Sequence, residues 1–120
     1  MNAAEIRKLT AEKFMKKPEL KNADFKFADV FITNFIENAA KDGELEVAIN
    51  YVALAKKYAK KIIATTKFKI CSKGYNIRFD NIKYEFEYMI RTLYGRYLLV
   101  NGFNVEFNHE MMKINWMVKN

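Results

Sequence analysis

The chain has 120 residues, 21 Lys and Arg against 14 Asp and Glu, a formal net charge of +7, and 51% apolar residues with only four Gly and one Pro. That composition excludes a linker, a collagen-like repeat and a disordered tail, and the length suits one hydrophobic core. A single Cys excludes an intrachain disulfide, no apolar run reaches the ~20 residues of a membrane span, and residues 1–17 lack the apolar stretch of a signal peptide. The expectation is one domain over 1–120 in a reducing compartment, the cytoplasm.

The first predicted element is a helix of about Ala3 to Lys16, with Asn2 as cap and Pro18 as stop. A second runs from about Ala23 to Lys41, where Phe27, Ala28, Phe31, Ile32, Phe35, Ile36 and Ala39 keep helical spacing and Asp42-Gly43 closes the helix. Leu45, Val47, Ile49 and Tyr51 then alternate with polar residues as a half-buried strand. A third helix begins near Val52 and reaches at least Thr66, while Lys67–Cys71 fits helix or strand equally.

Gly74-Tyr-Asn-Ile-Arg-Phe-Asp80 and Gly102-Phe-Asn-Val-Glu-Phe-Asn108 both read as a glycine stop followed by a strand, either an internal duplication or a coincidence. Ile82, Tyr84 and Phe86 alternate like a strand, yet Ile82, Phe86, Met89, Ile90, Leu93 and Tyr97 keep helical spacing. A helix is expected through about Glu87–Asn101, with Gly95 inside it allowing a close packing contact and 82–86 left open. Phe103–Phe107 and Met112–Met117 form a terminal hairpin around Asn108-His109-Glu110. The predicted class is α+β: a single domain with helices packed on one face of a small, mainly antiparallel sheet.

Charge is the strongest functional signal. Residues 1–46 carry eight basic and nine acidic side chains and residues 80–120 five of each, whereas 47–79 carry eight basic and none acidic. AT-rich codons would account for 17 Lys and 12 Asn, but codon bias spreads lysines evenly and does not empty a window of acids. Lys56, Lys57, Lys60, Lys61 and Lys67 fall within an arc of about 140° on the third helix. Lys73 and Arg78 extend the patch, and Tyr58 lies at the boundary of the two helix faces as a candidate stacking ring. Cations at i and i+4 repel by a few tenths of a kcal/mol per pair, which an anionic partner relieves. Lysine suits backbone positioning better than bidentate base reading, so weak sequence preference is expected. The competing readings are a solvated face, a membrane surface, or an acidic protein surface.

Tyr75, Phe79, Phe103 and Phe107 could line a stacking platform on a sheet or simply fill the core. Catalysis is poorly provided for. His109, Cys71 and Ser72 are each the single residue of their type and assemble no nucleophile, base and orienting group in the sequence. Glu44/Glu46 and Glu85/Glu87 read as solvated strand faces. No P-loop, dinucleotide fingerprint or HExxH helix occurs, so no cofactor, no metal and no enzymatic activity are expected.

The segments Asn2–Thr10, Ile36-Glu-Asn-Ala-Ala-Lys-Asp-Gly43 leading into Glu44–Ile49, Leu98–Val105 and Met112-Lys-Ile-Asn-Trp116 together resemble a class of small proteins common in tailed-phage genomes. The resemblance covers roughly residues 1–50 and 88–117 and brings no catalytic or ligand residue with it. It implies a phage-type accessory protein in which 52–86, with the basic segment, is an insertion carrying the chain-specific function. The expected partner is nucleic acid; the alternative is a protein–protein interaction module, a virion component or an inhibitor, possibly homo-oligomeric.

Overall fold

The computed structural model describes residues 2, 3, 5, 6, 8, 9, 23–65 and 72–117, the side chains of 72–77 excepted. At the N-terminus, Ala3, Glu5, Ile6, Lys8 and Leu9 are helical, and the Asn2 side-chain oxygen accepts the Glu5 N–H at 2.9 Å, as a cap should. The rest of that expected helix, and the open segment 67–71, lie outside the described residues.

Helix α1 spans Ala23–Lys41. It ends where Gly43 takes φ 85°, with Gly43 N–H bonded to Ala40 O at 3.0 Å and Glu44 N–H to Ala39 O at 2.9 Å. This paired 5→2 and 6→1 pattern satisfies the last carbonyls and turns the chain directly into strand β1, Glu46–Asn50. Helix α2, Tyr51–Ala64, follows without a linker because Asn50 doubles as its cap, its side-chain oxygen accepting the Ala53 N–H at 2.8 Å. Thr65 closes α2, slightly before the expected Thr66.

From Ser72 the chain is helical almost to Gly102. Helix α3 covers Ser72–Met89, a π-helical turn covers Ile90–Tyr94, and α4 covers Gly95–Val100. Residues 74–80 are therefore helical and not a strand, and 82–86 belong to the same helix. Buried Phe86, Met89 and Ile90 decide it, because only helical spacing gathers them on one side. The two similar heptapeptides thus fold differently. Gly102 (φ 94°) ends α4 with the Gly43 pattern, through Gly102 N–H to Leu99 O at 3.1 Å and Phe103 N–H to Leu98 O at 3.0 Å. The structural echo of α4–Gly102–strand is α1–Gly43–β1.

Strands β2 (Asn104–Asn108) and β3 (Met111–Asn115) form the terminal hairpin. His109 holds φ 53° at the first turn position, a conformation His tolerates better than most residues. All pairs are antiparallel in the order β1-β3-β2. One face carries two apolar rows across the strands, Val47–Ile114–Val105 and Ile49–Met112–Phe107, and the helices pack there. The other face carries Glu46, Asn115 and Asn104, then Ala48, Lys113 and Glu106. The class is α+β, with helices on one face of a small antiparallel sheet.

Aromatic rings build the core where α1, α2 and α3 meet. Tyr58 stacks on Phe86 at 4.8 Å between centroids and meets Phe27 at 4.9 Å, while Phe25 meets Tyr94 at 5.3 Å and Tyr97 edge-on at 5.2 Å. Ala55 and Ala59 are fully buried and small enough to let α3 approach α2 closely.

Candidate nucleic-acid interface

Helix α2 presents its lysines outward because its apolar stripe is fixed from both sides. Tyr51, Leu54, Ala55, Tyr58 and Ala59 are buried, and helical periodicity then leaves Lys56, Lys57, Lys60 and Lys61 on the solvent side. All four are exposed, and no carboxylate among the described residues lies within ion-pair distance of them.

The four divide into two rows. Lys57 Nζ lies 4.4 Å from the Phe31 ring centroid, and Lys61 Nζ lies 5.1 Å from that of Phe27, so this row leans across the α1–α2 seam. Such contacts contribute ~0.5–1 kcal/mol each at exposed sites, more than the ~0.2–0.5 kcal/mol of an i,i+4 repulsion. Among the described residues Lys56 and Lys60 have no such ring, and none offsets their mutual repulsion.

Of the remaining expected residues, Lys67 lies outside the described residues. Lys73 belongs to the first turns of α3, with its side chain outside the description. Arg78 is exposed, on α3 rather than on the lysine helix. The structure thus gathers four of the seven expected cations on one helix face.

Tyr58 is the clear correction. It is 4% exposed, stacked on Phe86, and its hydroxyl donates to the Asp24 carboxylate. Helix α1 covers the boundary position that Tyr58 occupies on an isolated helical wheel, so no ring is left there for a base. Burial first, then the Asp24 carboxylate, pushes its hydroxyl well above the ordinary tyrosine range, so it stays a neutral donor. The sheet platform fails likewise. Phe107 lies under Gly95 and against Tyr51 at 5.4 Å, Phe103 meets Trp116 at 6.3 Å, and Phe79 is half-buried in α3. The side chain of Tyr75 lies outside the description.

Of the paired carboxylates, Glu46 is exposed on β1 as expected, whereas Glu85 and Glu87 lie on α3 and not on a strand. Glu87 is bonded to Lys83 Nζ at 3.2 Å, and Asp29 accepts from Tyr94 at 3.0 Å and from Thr33 at 3.2 Å. His109 sits exposed in the hairpin turn, where its backbone carbonyl accepts from Tyr51 at 3.2 Å. Among the described residues no group of three His, Cys, Asp or Glu could hold a metal ion, and no helix is long and apolar enough to cross a membrane.

Sequence reasoning missed Tyr84 and Tyr88, which are 62% and 71% exposed on α3. In a strand, Tyr84 would share the apolar face of Ile82 and Phe86; in the helix it turns away from both. No family model, no curated protein and no solved structure matches the chain.

Proposed function

We propose that the chain is a small non-enzymatic accessory protein that binds an anionic partner, nucleic acid, through the exposed lysine face of α2. The observation that carries this reading is Lys56, Lys57, Lys60 and Lys61 side by side on a preformed helix, with no carboxylate among the described residues to neutralise them. Phosphates relieve their repulsion and release condensed counterions as they do so. Arg78, and Lys67 and Lys73 by sequence, add cations in the same acid-free stretch. The phage-type resemblance of the flanking segments supports an accessory role.

The test is binding of the purified, nuclease-treated protein to labelled oligonucleotides across a salt series. Four duplex phosphate contacts predict a log–log salt slope of about −3.6, at about −0.9 per phosphate. Charge reversal at Lys56 and Lys60 should abolish binding, and salt-independent affinity would sink the reading.

A second reading has its own support. Val30 and Phe35 on α1 are 65% and 45% exposed, and apolar side chains on the helix that flanks the lysines suit an acidic protein surface. Failure to bind either single- or double-stranded probes at low salt moves the lysine face to that class of partner, or to contact with a second copy of the chain.

A further inference from the structure

The two most exposed aromatic rings among the described residues, Tyr84 and Tyr88, stand on successive turns of α3. With Glu87, Arg91 and Thr92 they line an open groove of about 480 Å³. Helical rise separates the two ring-bearing positions by about 6 Å along the axis. Among the described residues lining the groove the one carboxylate, Glu87, is tied to Lys83 at 3.2 Å, and the same ammonium stands 4.4 Å from the Tyr84 centroid. Arg91 follows Tyr88 by one turn and is exposed, at the point where the helix widens into its π turn. Such π turns recur at functional sites.

Resting on the nucleic-acid reading above, we propose that this face binds the bases of a single strand, with Tyr84 and Tyr88 as stacking rings and Arg91 on a phosphate. Three features of the groove point to that ligand. Planar rings take any base by its π-face, which asks for no particular sequence. An exposed guanidinium beside them matches the alternation of base and phosphate. Finally, ring-bearing positions set about 6 Å apart along the helix axis are spaced more widely than the 3.4 Å rise per base of a stacked duplex strand, which suits an unstacked strand with successive bases on both rings. The lysine face of α2 supplies charge without distinguishing strandedness; the tyrosine face of α3 supplies the distinction.

The experiment uses the full chain with labelled oligothymidylate and a duplex of equal length, at low salt and across a salt series. The Y84A/Y88A double variant should lose about fivefold or more in oligothymidylate affinity for each base unstacked, with duplex affinity unchanged. Y84F/Y88F keeps the rings and should bind like the wild type. R91Q should lower the single-strand salt slope by about 0.7. Both tyrosines are solvent-exposed, so the variants test binding and not folding, and circular dichroism verifies it. Equal oligothymidylate affinity for wild type and Y84A/Y88A overturns this inference while leaving the lysine reading in place. So does a Y84A/Y88A variant that instead dissociates an oligomer of the chain. A wild type that binds neither probe at low salt overturns the nucleic-acid reading and this inference with it.

Discussion

The Tyr58 hydroxyl donates to the Asp24 carboxylate, tying the middle of α2 to the first turn of α1. Tyr58 therefore belongs to the joint that holds the lysine helix in place, and its substitutions should report on folding. Y58F removes one hydrogen bond to a charged acceptor and should cost about 1.5–3 kcal/mol. Y58A also empties the space against Phe27 and Phe86 and should cost about 3–5 kcal/mol. Urea denaturation measures both. Oligonucleotide affinity of folded Y58F should equal that of the wild type, because its ring is not at the surface.

Two buried phenols give the fold an alkaline limit. Burial, with Asp24 for Tyr58 and Asp29 for Tyr94, raises both hydroxyls above the ordinary tyrosine value of 10.0. A group whose folded value is raised contributes stability that is complete below its unfolded value and disappears as the pH climbs beyond it. Stability should stay level up to about pH 10, the unfolded tyrosine value, and fall above it. Denaturant midpoints measured along a pH series check this, and the Y58F/Y94F double variant should show a shallower alkaline fall from a lower plateau.

Wherever periodicity was unambiguous, the fold was legible in the sequence. Helix α1 has the expected bounds, and the strands of the terminal hairpin differ from expectation by one or two residues at their ends. Helix α3 was not legible, because Gly74 reads as a helix stop and the β-branched and aromatic residues from 75 to 86 carry strand propensity; packing of Ile82, Phe86 and Met89 into the core overrides that preference. The repeated heptapeptide misled for the same reason, matching letters where the true correspondence is between two helix-ending glycines, Gly43 and Gly102. At the candidate site, the lysine face followed from helical angles alone. The burial of Tyr58 did not, since one helical wheel knows nothing of the neighbour that covers its edge. Tyr84 and Tyr88 came into view only once 82–86 was a helix.

The two lysine rows should separate by the sign of their effect on stability. K57Q/K61Q removes two cation–ring contacts and one repulsion and should destabilise by about 1 kcal/mol. K56Q/K60Q removes a repulsion and no ring contact, so it should stabilise by a few tenths of a kcal/mol. Urea midpoints in low-salt buffer measure both, and equal shifts for the two pairs would show that the rings do not hold their lysines in solution. In 1 M salt the K56Q/K60Q gain should largely vanish, since the screening length there is about 3 Å.

Gly95 joins the π turn to α4 beneath the sheet. A Cβ there would stand 3.3 Å from the Ile90 carbonyl oxygen and 3.3 Å from Phe107 Cε2. The carbonyl cannot withdraw cheaply, because it accepts the Gly95 N–H that closes the π turn. The Phe107 ring is held in turn by Tyr51, edge-on at 5.4 Å. Helix propensity favours Ala over Gly by ~1 kcal/mol, whereas overpacking a filled site costs ~1–3 kcal/mol. Overpacking should win, and G95A should destabilise by about 1 kcal/mol. G95A combined with F107L should recover part of that loss, because the contact belongs to the ring. If G95A instead raises the thermal midpoint, the α4–sheet contact is looser than these distances require.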